Sequence, residues 1–202
     1  MKKKYVSVDV EAAGLTPGKY SMLSLGACIV GDLTRQFYRE LKPISRTWVM
    51  DAMRIGCLGL DCLKSTPHNG ELNPKNEAFR PDLALKVLAQ KGEDPEVVMH
   101  DFAGWILEST RGFKPVEVAW PIKFDGMFTA WYFDNFYSGK NPLGYGGTDM
   151  NSMYKGFMGN LDADIEDLHL PDERTTPHNA LEDAIQQAKE FEHVLRLMKV
   201  EF

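Results

Sequence analysis

The spacing of apolar positions changes along the chain, and each change predicts a new element. Tyr5 to Val10 is a run of β-branched and aromatic residues and predicts a buried strand. Met22 to Val30 alternates well enough for a second strand, and Gly31-Asp32 supplies a turn. Gln36 to Leu41 predicts a third strand that stops before Pro43. Three strands on short connections imply an antiparallel meander. From Trp48 to Leu63 the apolar spacing becomes helical, although Gly56 and Gly59 weaken it. Ser65 to Pro81 is dense in Pro, Asn and Gly and predicts an exposed loop.

Asp94-Pro95-Glu96 is a strong helix start, with Asp as N-cap and Pro at the first helical position. Val97, Val98, Phe102, Trp105 and Ile106 then form one apolar face, and Gly112 marks the stop. Val116 to Trp120 predicts a short strand, and Phe124 to Tyr137 a helix unusually rich in aromatics. Such rings can stack on bases, but Phe124, Phe128, Trp131, Tyr132 and Phe136 recur at helical spacing, which favours core packing for most of them. Gly139 to Gly147 reads as loop, and Thr148 as the cap of a helix through Met158. Asn160 to Thr176 is acidic and irregular. Pro177 opens a last helix with a long apolar stripe: Ala180, Leu181, Ala184, Ala188, Phe191, Val194, Leu195 and Met198. Strands first, then strand–helix alternation and a closing helix, predict a mixed α/β sheet with helices on it.

At 202 residues and 22.8 kDa the chain fits a single domain of roughly 150–250 residues. The formal net charge of −6 argues against tight nonspecific binding to long duplex DNA, which needs many Lys and Arg on phosphates. Met1-Lys2-Lys3-Lys4 resembles the start of a signal peptide, but Asp9 and Glu11 interrupt any apolar stretch after it. No apolar run approaches the ~20 residues needed to cross a bilayer, so no membrane association is expected. Cys28, Cys57 and Cys62 lack zinc-site spacing and are expected to be reduced structural thiols, which points to the cytoplasm.

Candidate chemistry begins at the end of the first strand. Asp9 and Glu11 are two positions apart, so both carboxylates project from one face. Burying two like charges costs several kcal/mol unless something positive sits between them. A hard divalent cation with oxygen ligands, Mg²⁺ or Mn²⁺, fits that need; the alternative is an exposed strand end with solvated acids. His178 and Asp183 lie five apart near the start of the last helix, about 140° apart around it, and would not act as adjacent ligands. Asp183 would then complete a metal site while His178 approaches from another side. Asp125 follows the strand Val116 to Trp120 where a helix starts, so it is either a third site acid or a helix-dipole acid.

Together, Asp9-x-Glu11 with Gly14-Leu15, then Phe124-Asp125, then His178-x-Ala180-x-x-Asp183-Ala184 resemble the DEDDh 3′→5′ exonuclease superfamily, which includes proofreading exonuclease subunits, oligoribonuclease and ribonuclease T. The resemblance spans residues 5 to about 195. It implies a ribonuclease-H-like fold: a five-stranded mixed sheet, three antiparallel strands then parallel ones, flanked by helices. It implies that Asp9, Glu11, Asp125 and Asp183 hold two Mg²⁺ or Mn²⁺ ions, and that His178 is the general base. It further implies that Glu11 and the backbone around Ala12 receive the terminal 3′-hydroxyl and that Leu15 wedges against the last bases. The expected substrate is single-stranded or short RNA or DNA, released as nucleoside 5′-monophosphates. Several members are homodimers, which puts a second copy of the chain among the candidate partners.

The chain also departs from the family. Ala12 replaces a frequent Thr and offers no hydroxyl, and Trp120-Pro121-Ile122-Lys123 stands where many members carry His-Asn-Ala. Residues 45–91 match no family motif and read as an insertion within one exonuclease domain. Two other functions compete: a phosphodiesterase using the same site on small nucleotides, and a catalytically idle binding module of the same fold. The intact set of four acids and a histidine argues against the idle module.

Overall fold

The strand that carries Asp9 and Glu11 is the middle of the sheet. The computed structural model describes residues 2–67 and 70–201. In it β1 (Lys3–Ala12) pairs antiparallel with β2 (Met22–Ile29) and parallel with β4 (Lys114–Ala119). β3 (Asp32–Glu40) extends the antiparallel side and β5 (Gly147–Asp149) the parallel side, giving the order β3-β2-β1-β4-β5. The expected five-stranded mixed sheet is therefore present. β3 starts four residues before its apolar run, because the turn after β2 pairs Ile29 directly with Asp32. Residues 34–36 consequently form an exposed edge whose sequence carries no strand period.

Helices cover both faces. α4 (Pro95–Ser109) is capped by Asp94 and packs with α5 (Ile122–Phe136) against one face. Phe128, Tyr132 and Phe133 are buried there, and Phe124, Trp131 and Phe136 pack partly buried against them, so the aromatic helix is core as expected. α7 (Ala180–Leu197) lies on the opposite face, burying Ala184, Ala188, Phe191, Val194 and Leu195. It starts at Ala180 rather than Pro177, because Asn179 is the cap: its side chain accepts from the Leu181 and Glu182 N–H groups at 3.2 Å each. α6 (Met150–Met158) is capped by Asp149, not Thr148, because Thr148 is taken up by β5 pairing with Val118.

Residues 45–91 are not the single helix and open loop that local pattern suggests. The helical stretch breaks into α1 (Met50–Gly56) and α2 (Asp61–Lys64), and α3 (Pro81–Lys91) follows. Between α2 and α3, Leu72 and Phe79 are buried rather than exposed. With Met53, Leu63, Leu85 and Leu88 they form an apolar cluster that also takes in Ala13 and Leu23 at the end of the sheet. His68 and Asn69 of this stretch lie outside the described residues. All three cysteines are free and buried. No helix among the described residues is long and apolar enough to cross a membrane.

The seat of α7 on the sheet depends on one missing side chain. A Cβ at Gly26 in β2 would stand 2.1 Å from the Ala180 carbonyl carbon and 2.3 Å from the Leu181 nitrogen. Both are backbone atoms, so the helix itself would have to move. Gly26→Ala should therefore cost about 3 kcal/mol, a fall of roughly 6–12 °C in Tm for a chain of this size. Thermal unfolding followed by circular dichroism checks this; a shift under about 1 °C would mean that α7 is free to slide.

Candidate active site

At the carboxyl end of β1 the two predicted acids do lie together. Glu11 is buried and Asp9 half-buried, and both face a cleft of about 590 Å³ between α5, α7 and the segment 165–174. Asp125 and Asp183 are buried in the same cleft, and His178 stands at its mouth with its side chain 45% exposed. One ligand atom each from Glu11, His178 and Asp183 lies within 4.8 Å of the other two. Asp9 and Asp125 sit beside this trio, each with one oxygen engaged by protein. Gln187 Nε2 donates to Asp9 Oδ1 at 2.9 Å, and the Val10 N–H donates to Asp125 Oδ1 at 3.0 Å.

The helical-wheel expectation for His178 and Asp183 is corrected by the late start of α7. His178 precedes the helix and has φ of +63°, so the 140° angle does not apply. The turn brings the imidazole back over the first helical turn, with Nδ1 3.9 Å from Glu11 Oε1. Three contacts hold this left-handed residue. Glu182 accepts from the Thr175 and Thr176 N–H groups at 2.6 and 2.8 Å, pinning the chain just before it. Asn179 caps α7 just after it and donates from Nδ2 to the Gly59 carbonyl at 3.0 Å. Gly59 itself lies against the His178 carbonyl, where a Cβ would come within 2.1 Å of that oxygen. The break between α1 and α2 therefore has a cause: backbone must approach backbone there.

Four acids in one place perturb one another. Burial pushes the Asp9 and Glu11 carboxyls well above the usual range, and repulsion from Asp125, Asp183 and each other adds to it. Burial also pushes Asp125 up to about 8, against the opposing hydrogen bond from Val10. Asp183 is raised by burial too, but Arg174 and the His178 backbone pull it back. Arg174 was not visible as a site residue in the sequence. Its Nη1 donates to Asp183 Oδ1 at 2.6 Å, while Nε and Nη2 fork onto the two oxygens of Asp172 at 2.8 and 2.7 Å. The only hint was that Arg174 is the one Lys or Arg in the acidic run from Asn160 to Thr176. Gln187 was also missed, although it lies one turn after Asp183 on the same helix face. Of the predicted substrate contacts, Leu15 is 73% exposed in the turn after β1 and Ala12 is buried, and neither lines the cleft.

No protein-family model matches the chain. The 3′-5′ DNA exonuclease Cap18 of Escherichia coli is 33% identical to it over 202 residues, covering 97% of this chain and 94% of that protein. The chain belongs to the same family of 3′-5′ exonucleases. Among solved structures, the zinc-bound complex of E. coli exonuclease I with single-stranded DNA matches with a TM-score of 0.63 at 13% identity. That match covers 98% of this chain and 42% of exonuclease I, so the chain spans less than half of that protein. The nuclease domain of 3′hExo, a DEDDh family member bound to rAMP, matches with a TM-score of 0.63 at 12% identity, covering 96% and 92%. These two likenesses are of fold.

The raised carboxyls give the exonuclease a pH signature. The folded chain holds protons on these acids that the unfolded chain has already released, so it binds more protons than the unfolded chain. Stability must then fall as pH rises from the ordinary carboxyl range, about 4, through about 8. Thermal unfolding in EDTA should show Tm decreasing across that window, and millimolar Mg²⁺ or Mn²⁺ should flatten the slope. A Tm in EDTA that is flat or rising over the window would mean that these carboxyls are not raised in the fold.

Proposed function

We propose that this exonuclease removes nucleotides one at a time from the 3′ end of single-stranded DNA, releasing nucleoside 5′-monophosphates with the help of two divalent ions, Mg²⁺ or Mn²⁺. One observation carries the reading: Glu11, His178 and Asp183 converge within 4.8 Å at the mouth of a cleft that Asp9 and Asp125 also line. The choice of DNA rests on the Cap18 relative, named a DNA exonuclease, and on exonuclease I structures that contain dA16 and dT13 oligonucleotides. The four carboxylates Asp9, Glu11, Asp125 and Asp183 offer only oxygen donors, which suit hard cations, and their raised pKa values mark a deficit of positive charge that a metal would offset. Asp9, Glu11, Asp125 and Asp183 would hold the ions. When bound, such a pair activates water and stabilises the leaving 3′-oxygen of an in-line displacement.

The protein's own groups do the rest. His178, at the solvent-facing mouth, takes the proton of the incoming water, and the Glu11 carboxylate 3.9 Å away stabilises the imidazolium that forms. Gln187 holds Asp9 and the Val10 N–H holds Asp125, so these two acids keep their orientation while Glu11 and Asp183 face His178. Glu11 and the Ala12 backbone receive the 3′ end, and the exposed Leu15 abuts the terminal bases. The buried free thiols suit a reducing compartment such as the cytoplasm.

The test is a 5′-labelled single-stranded DNA or RNA oligonucleotide incubated with the protein and Mg²⁺ or Mn²⁺. A ladder shortening from the 3′ end, faster on DNA, is expected; cleavage of dinucleotides alone, or no turnover, would overturn the reading. Asp9→Ala should abolish cleavage and weaken Mn²⁺ binding together. His178→Ala should leave Mn²⁺ affinity intact and slow cleavage by about 10²–10⁴-fold. A collapse of Mn²⁺ affinity in His178→Ala would make the imidazole a ligand instead of a base.

A further inference from the structure

The cleft has a charge problem that the metal site alone does not remove. Its lining carries six carboxylates, Asp9, Glu11, Asp125, Glu166, Asp183 and Glu190, against a single Lys or Arg side chain among the described residues, Arg174. A nucleic-acid strand entering there brings further negative charge on each phosphate. Two divalent ions offset the four central acids, but Glu166 and Glu190 still face the incoming backbone. Arg174 is the Lys or Arg side chain able to meet a phosphate directly, and its five N–H donors let it hold one carboxylate while presenting another nitrogen to a phosphate.

Its anchoring makes that role specific. Two of its nitrogens are committed to Asp172, a carboxylate on its own loop and outside the set of acids assigned to metal. The third, Nη1, reaches across to Asp183, which is in that set. The Arg174 side chain is 30% exposed and the Asp183 side chain 9%, so the guanidinium closes over Asp183 from the solvent side of the cleft. A cation bound by Asp183 competes with this ion pair. When it wins, Nη1 is freed while Asp172 keeps the guanidinium at the cleft wall.

We propose that Arg174 is a two-position phosphate clamp. It neutralises Asp183 until metal arrives, then turns Nη1 to a non-bridging oxygen of the substrate backbone. The inference rests on the nuclease reading above and assigns this chain a substrate-binding residue beyond the four acids and the histidine. It requires that removing the guanidinium have opposite effects on two ligands. Metal should bind more tightly, since a competitor is gone, and the oligonucleotide more weakly, since a phosphate contact is gone. A merely structural arginine, tying the 165–174 segment to α7, would weaken both.

The experiment measures Mn²⁺ alone by titration calorimetry, and then a fluorescein-labelled single-stranded DNA by anisotropy at saturating Mn²⁺ in a His178→Ala background that slows cleavage. Arg174→Gln should raise Mn²⁺ affinity by about three- to fivefold, the scale of a partly exposed ion pair. It should lower oligonucleotide affinity by about ten- to a hundredfold, and make the plot of log affinity against log salt shallower by about 0.7, one phosphate contact on a single strand. Arg174→Lys, which keeps the charge but loses the fork, should retain the salt slope and lose part of the affinity. Circular dichroism establishes that each variant is folded. Loss of affinity for both ligands, or unchanged oligonucleotide binding, overturns the clamp while the nuclease reading stands. Absence of Mn²⁺ binding by the parent protein overturns both.

Discussion

The mutual repulsion of four carboxylates is the constraint around which this molecule is arranged. Asp9 and Glu11 leave the central strand on one face, and Asp125 and Asp183 arrive beside them from α5 and α7. Left alone, such a cluster would drive the elements apart or stay protonated, and burial does raise all four carboxyls. What keeps them together is apolar packing on both faces of the sheet, with α4 and α5 on one side and α7 on the other. The favourable burial of Phe102, Phe128, Phe133, Phe191 and their neighbours offsets an arrangement that electrostatics alone would reject. The acids are therefore held close by groups that take no part in chemistry, which is how a site can be poised to accept cations.

The histidine is controlled by a different part of the chain. Its left-handed backbone is caught between Glu182, which grips the two threonines before it, and Asn179, which caps the helix after it. Asn179 in turn reaches Gly59, and Glu40 at the end of β3 accepts from the Cys62 N–H at the start of α2. Residues 45–91 thus do more than fill a surface. They brace the turn that carries His178, through backbone contacts that tolerate no side chain at Gly59. A stretch that matches no motif can still matter to a reaction by fixing where a motif residue points.

Charge also explains how an acidic protein can act on a polyanion. A net charge of −6 disfavours broad, nonspecific adhesion to duplex. Cations held by the four central acids, as proposed, would confine favourable charge to one place in the cleft. On the proposed reading, recognition would then be local, limited to the end of a strand that can thread into the cleft. The proposed clamp at Arg174 would add a directional contact there.

Much of this was legible in the sequence. The strand periods, the Asp94-Pro95 helix start, the aromatic core helix, and the acids Asp9, Glu11, Asp125 and Asp183 all come from local pattern or ordered motifs, because side-chain period and residue chemistry are local properties. The rest was decided by contacts between distant residues. β5 exists because Gly147–Asp149 meets the edge of β4, and the 48–63 helix breaks because Gly59 meets His178. Gln187 reaches Asp9 across 178 positions, and Val10 reaches Asp125 across 115. Arg174 carries no pattern of its own, and the turn at His178 put the imidazole where a helical wheel would not. The chain by itself determined which groups are available for chemistry. Only the way it folds back on itself decided which of them share one volume of space, since that depends on the packing of surfaces no short window contains.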